Sequence, residues 1–130
     1  MNLARWFRGR QAELLGRRGE RLAARFLRRR GYRILHRNLA VGRDEIDLVV
    51  LTPDRSMYVL VEVKTRREAV PAPELAITTK KQFHLVRAAA ALQRTTLADR
   101  PLRFDVVTIL WPDDGPPRIR HLPAAFDAPF

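Results

Sequence analysis

The 130-residue chain contains no cysteine, which excludes a disulfide scaffold, a thiol nucleophile and any cysteine-ligated zinc or iron–sulfur centre. It has no apolar run approaching the ~18 residues of a membrane-spanning helix, so no membrane span is expected. Its basic start, MNLARWFRGRQAELLG, lacks the apolar stretch of a secretory signal. That start is Arg-rich and acid-poor, which also suits an organellar presequence; the default is a soluble cytoplasmic protein. Lysine is nearly missing, with three residues against twenty-two arginines. What is present argues for folding: 46% of residues are hydrophobic, too many for a disordered chain. The length fits one domain spanning 1–130, with a core over about 11–122 and an irregular tail at 123–130. Such a domain buries roughly two-thirds of the surface its unfolded chain exposes.

The 25 basic and 14 acidic side chains leave a net charge of +11. The excess is local. Residues 1–37 hold twelve arginines against Glu13 and Glu20, whereas residues 38–130 hold thirteen basic and twelve acidic groups. A dense positive surface attracts polyanions, of which nucleic acid is the commonest in a cell. The competing readings are a helix face kept soluble by arginine, and an anionic membrane surface met by Trp6 and Phe7 beside Arg5 and Arg8.

The periodicity of Leu15, Leu22 and Phe26, with Ala12, Gly19 and Ala23 beside them, predicts a helix over 11–30 that stops at Gly31. Gly16 and Gly19 weaken that helix and point to close packing or a late start. Residues 32–39 read as a short strand. Two apolar strands, 45–52 and 56–66, flank the turn PDRS and form a hairpin. Placing Val50 opposite Val59 aligns Leu48 with Val61 and Ile46 with Val63, so both apolar faces coincide. The same register sets Asp47 against Glu62 and Glu45 against Lys64. A connection at 67–78 carries Pro71 and Pro73. Thr79-Lys80-Lys81-Gln82 has capping-box spacing and opens a helix to about residue 95. In that helix Phe83, Val86 and Ala90 make the apolar stripe, flanked by Lys80, His84, Arg87 and Arg94. Residues 102–111 are a strand, and RIRHL (118–122) is a returning edge strand.

Two acids sit inside the most apolar strands. Carboxylates held side by side in a dry site repel, and one neutralises unless a cation intervenes. Mg²⁺ accepts hard oxygen ligands of this kind. Lys64 points to the face of Glu62 and is a compact charge, one of only three lysines. On the residues alone, a metal site and a plain ion-pair cluster of Asp47, Glu62, Lys64 and an arginine stand level.

These pieces together resemble the YraN-like family of bacterial endonuclease-like proteins, within the PD-(D/E)xK superfamily of Holliday junction resolvases and restriction enzymes. The resemblance is carried by GRRGERLAARFLRRRGYRILHRN (16–38), EIDLVV (45–50), YVLVEVKTR (58–66), KKQFHLVRAAAAL (80–92) and RFDVV (103–107). It implies an α/β, restriction-endonuclease-like core in the order α-β-β-β-α-β, a mixed central sheet flanked by helices. It assigns Asp47, Glu62 and Lys64 to the catalytic core, with Glu20 completing a metal site of Asp47, Glu62 and Glu20. Glu45 matches a family motif. Asp105 matches another family position, for which a buried hydrogen-bonding role is expected. Two departures stand out: Asp44 replaces a usual glycine before Glu45, and the stretch after Arg66 lacks the usual glycine.

The expectation is therefore an endonuclease dependent on Mg²⁺ (or Mn²⁺) that hydrolyses DNA phosphodiester bonds, in keeping with branched or structured substrates. Arg17, Arg18, Arg21, Arg43, Arg66, Lys80, Lys81 and Arg87 would hold the nucleic-acid backbone. The alternative is a nucleic-acid-binding protein that keeps the fold and cleaves nothing. Junction-cleaving relatives tend to be dimers, which makes a homodimer an expectation as well.

Overall fold

A computed structural model describes residues 2–68 and 77–127. Helix α1 (Leu3–Arg29) is followed by strands β1 (Arg33–Val41), β2 (Asp44–Leu51) and β3 (Tyr58–Arg66), helix α2 (Thr79–Gln93), and strands β4 (Leu102–Leu110) and β5 (Arg118–Leu122). The five strands form one sheet in chain order. β3 and β4 run parallel, and the other pairs are antiparallel. A parallel neighbour needs a crossover, and α2 lies in it. The architecture is thus α/β, a mixed five-stranded sheet with one helix on each face.

Each helix covers its own half of the core. On one face Ala23, Ala24 and Leu27 of α1 meet Leu48, Val50, Val59, Val61, Val63, Val107 and Ile109. On the other, Leu85, Ala88, Ala89 and Leu92 of α2 meet Val49, Leu51, Tyr58, Leu60 and Phe104. β3 is buried on both sides because it is the central strand, and its run Val59-Leu60-Val61 reads accordingly.

The turns follow from local chemistry. Gly42, at φ +61°, begins the two-residue connection between Val41 and Asp44, the position where a hairpin turn of the II′ kind demands glycine. In the β2–β3 turn, Asp54 Oδ1 accepts from Thr52 Oγ1 at 2.7 Å, Ser56 Oγ at 2.7 Å and Ser56 N at 3.0 Å. Those hydrogen bonds pull its carboxyl down to about 2.

The expected β2–β3 register is present, with Leu48↔Val61 and Val50↔Val59 paired. Other expectations are corrected. α1 starts at Leu3, not residue 11, capped by Asn2, whose side chain accepts from Arg5 N at 3.2 Å. Its buried side is Leu15, Gly19, Ala23, Ala24 and Leu27; Leu22 and Phe26 are only half-buried. Gly19 is the close-packing glycine: a Cβ there would overlap Thr65 Oγ1, whereas nothing lies within 4 Å of one at Gly16. The cap of α2 is Thr78, accepting from Lys81 N at 3.1 Å, so no Glu or Gln occupies the reciprocal position of a capping box. Phe83 is 60% exposed and leaves the core face to Leu85, Ala88, Ala89 and Leu92. The expected tail begins with ordered packing, Phe126 stacking on Phe104 at 4.8 Å. The proline-bearing connection at 69–76 and the last residues, 128–130, lie outside the described residues.

Candidate functional site

The site lies where β2 and β3 stop pairing. The ladder ends at Leu48↔Val61, so Ile46↔Val63, Asp47↔Glu62 and Glu45↔Lys64 are not the ladder pairs the sequence suggested. In their place the Asp47 carboxylate accepts from Val63 N at 2.8 Å, a side chain standing where a backbone carbonyl would be. The alternation of β2 slips here too. Leu48 and Val50 face α1, yet Ile46 packs with Val49 and Leu51 against α2. Asn38, across from Asp47 on β1, adopts φ +49°, in the left-handed region that asparagine tolerates best among non-glycine residues. The paired kink lets Asp47 leave the regular pleat.

Glu62 comes from the regular part of β3 and is buried, its side chain 5% exposed. Lys64 Nζ stands 3.5 Å from Glu62 Oε1, and Lys81 Nζ of α2 stands 3.5 Å from Oε2. Both separations exceed a charge-assisted hydrogen bond of ~2.8 Å, and Oε2 is buried without a hydrogen-bond partner. Asp47 and Glu62 are close enough for each to act on the other's titration. Burial, then the neighbouring Asp47 charge, pushes Glu62 up to about 7, against the pull of the two lysines. Burial raises Asp47 as well, offset in part by the Val63 N–H and Lys81.

Glu20 approaches from α1. Burial and the charges of Asp47 and Glu45 raise its pKa, while Asn38 and Arg17 pull the other way. With Glu13, Glu45, Arg17, Arg21, Arg37 and Asn38 it lines an open cleft of about 740 Å³. Among the described residues, no three carboxylates or imidazoles converge tightly enough to hold a metal by themselves. The structure therefore brings Asp47, Glu62, Lys64 and Lys81 together and leaves Glu20 beside them, coupled to Asp47 through charge. The donor set suits a hard divalent cation: two adjacent carboxylates, one carrying a buried oxygen with no hydrogen bond.

The expected backbone-binding residues divide. Arg17 pairs with Glu13 at 2.8 Å on the surface. Arg18 lies over Trp111, 4.3 Å from the ring centroid. Arg21, Arg43 and Lys80 are exposed, and Arg66 is half-buried against the Thr65 carbonyl. Arg87 is already engaged: its Nε and Nη2 donate to Asp44 at 2.9 and 2.7 Å. The Asp44 carboxylate thereby ties the β1–β2 turn to α2. Lys81 belongs to the carboxylates more than to a phosphate track. Its signal was in the composition, because two of the three lysines meet on one glutamate.

Asp105 is a different kind of acid. Arg103 Nε and Nη2 donate to it at 2.8 Å each, the Ala124 N–H at 3.0 Å, and His121 Nε2 lies 2.7 Å away. Burial alone would raise its pKa, but these partners bring it below the ordinary value. It is a structural knot, as expected.

The family profile described as "Uncharacterised protein family UPF0102" matches residues 19–109. The chain belongs to the UPF0102 family. A UPF0102 protein of Geobacter sulfurreducens is 45% identical over 122 residues, covering 91% of this chain and 92% of its own length. Another, from Anaeromyxobacter dehalogenans, is 46% identical over 122 residues, covering 92% and 87%. A third, from Pelobacter propionicus, is 43% identical over 117 residues, covering 88% and 84%. Among solved structures, the SfsA protein of Pyrococcus furiosus in complex with Ca²⁺ has a TM-score of 0.43 at 14% identity, over 85% of this chain and 64% of that one. That likeness is too slight to assign a fold. The matched UPF0102 span contains Glu20, Asp47, Glu62, Lys64 and Lys81.

Proposed function

We propose that this UPF0102 protein is a metal-dependent endonuclease of the restriction-endonuclease-like fold, acting on DNA at branched or structured sites. The observation that carries the reading is Glu62 Oε2: a buried, unbonded carboxylate oxygen beside a second carboxylate. A purely structural acid has no reason to keep that arrangement. Asp47 and Glu62 would hold Mg²⁺ or Mn²⁺, with Glu20 positioned to assist. Such an ion, when bound, supplies a more acidic water and positive charge for the phosphate. Lys64 orients the attacking water and offsets the charge that builds on the phosphoryl oxygens as one P–O ester bond breaks. Lys81, on the other side of Glu62, works against neutralisation of that carboxylate. The exposed Arg21, Arg43 and Lys80 attract the backbone without reading sequence. A cytoplasmic location and a homodimer go with this reading.

A second reading, nucleic-acid binding without cleavage, is favoured by one observation: the described residues offer two converging carboxylates, not three. Incubation with supercoiled, linear and four-way-junction DNA in Mg²⁺ or Mn²⁺ separates the two. Cleavage is expected from the wild type and should be lost in both Asp47→Asn and Lys64→Ala. Cleavage that survives both substitutions removes the site assignment, and salt-sensitive binding with no cleavage by any form leaves the second reading standing.

A further inference from the structure

We infer that the N-terminal half of α1 is a docking surface for an anionic lipid membrane. Residues 2–14 are all exposed, and the packing of α1 on the sheet begins at Leu15. That exposed half carries Leu3, Trp6, Phe7 and Leu14, which are 65%, 50%, 55% and 46% exposed. At ~100° per residue Leu3, Phe7 and Leu14 fall within about 40° of one another, and Trp6 lies about 60° to their side. The buried line of Leu15, Gly19, Ala23 and Leu27 runs down the other side of the helix. Trp6 and Phe7 pack edge-to-face with 5.0 Å between centroids, which presents two rings as one anchor. Single exposed apolar residues are ordinary, but four clustered on one helix face mark an interaction surface.

The charges around the cluster identify what covers it. Arg5, Arg8, Arg10, Arg17 and Arg18 stand against one acid, Glu13, which Arg17 already engages at 2.8 Å. A second copy of the chain would bring two such arginine-dense helices together and is disfavoured by repulsion. Single-stranded nucleic acid matches the charge and the two rings, but it offers nothing to Leu3 and Leu14, which have no face on which a base can stack. A bilayer with anionic headgroups fits this face: leucines and rings enter the acyl boundary beside Arg10, and the remaining arginines add long-range attraction to the negative surface. Arg10 lies inside the apolar arc, and its stem can follow the apolar surface while its head reaches the interface. No described helix is long and apolar enough to cross a membrane, so the segment lies on the surface. This inference stands apart from the nuclease reading, since Leu3, Trp6, Phe7 and Leu14 neither line the Glu20 cleft nor belong to the groups around Asp47 and Glu62.

The test is flotation of the full chain with vesicles of phosphatidylcholine alone or phosphatidylcholine mixed with phosphatidylglycerol, with the emission maximum of Trp6 followed in a Trp111→Phe background. Binding to the anionic vesicles with a blue shift is expected. It should weaken about tenfold or more in Trp6→Ser/Phe7→Ser, which keeps every arginine. Leu3→Ser/Leu14→Ser provides a second pair, and circular dichroism should show both pairs folded. The inference is overturned if anionic vesicles are not bound, if both pairs bind them as well as the wild type does, if the pairs lose DNA binding while vesicle binding persists, or if the face proves to be covered by a second copy in solution.

Discussion

Glu62 and Asp105 lie on neighbouring parallel strands, at 4% and 1% exposure, and their surroundings push them in opposite directions. Alternation along β3 and β4 turns Glu62 toward α2 and Asp105 toward the α1 face. Asp105 receives three donated bonds of 2.8–3.0 Å and a 2.7 Å contact with His121. Glu62 has two lysines at 3.5 Å and an oxygen with no hydrogen bond. Burial is common to both, so burial is not what distinguishes a site from a knot. The difference is whether the fold satisfies the charge it buries. At Asp105 it does so with a fork of guanidinium donors; at Glu62 it leaves one oxygen without a hydrogen bond and adds a second acid.

The largest effect is expected at Asp105. Asp105→Ala strands Arg103 and frees His121 and the Ala124 N–H, and should destabilise the fold by about 3–5 kcal/mol in urea unfolding. If it costs no more than substitution at Glu62, the contrast between the two acids collapses. Glu62→Gln is expected to move the other way. A folded-state value of about 7, against an ordinary 4.5, means that the native protein binds the proton more tightly than the unfolded chain. Its contribution is therefore fully present below about pH 4.5 and lost as pH rises toward 7. At pH 8, Glu62→Gln should be more stable than wild type by about 1–3 kcal/mol, and the gain should vanish near pH 4. Asp105 shows the opposite window. Its lowered value stabilises the fold above the ordinary 3.8 and loses that effect as pH falls through the folded value. A smaller effect sharpens the same point: at pH 8, Mg²⁺ at about ten times its dissociation constant should stabilise the wild type by about 1.4 kcal/mol. Thermal melts should show that rise in the wild type and not in Asp47→Asn.

Much of the sheet was legible because alternation is a strong constraint. Leu48, Val50, Val59 and Val61 can share a face in only one register, and that register is present. The same logic failed one residue further on, at Asp47. It assumed an unbroken pleat, whereas the positive φ of Asn38 and the side-chain bond from Asp47 to Val63 N break it. Local patterns do not encode that kink. The first turns of α1 were missed because periodicity reports packing, and residues 3–14 are exposed. Phe83 was placed in the core on spacing alone, although the small residues Ala88 and Ala89 give α2 its close approach to the sheet. The acids of the site were legible as types in the wrong surroundings; the partners of Asp105 were not, because His121 and Ala124 come from beyond a turn with no sequence signal linking them to it.

The contact between Gly19 and Thr65 sets a clearance. Gly19 precedes Glu20 on α1, and Thr65 follows Lys64 on β3, so the place where helix touches strand is one peptide away from a candidate site group on each side. Thr65 Oγ1 is buried there without a hydrogen bond, filling the space a methyl group on residue 19 would take. The spacing between the two acid-bearing layers is thus fixed by a missing side chain, to a tolerance of about one carbon atom. Any thicker residue at that point would act as a shim, lifting the Glu20 helix from the strand that carries Glu62 and Lys64 while leaving every one of those groups in the sequence.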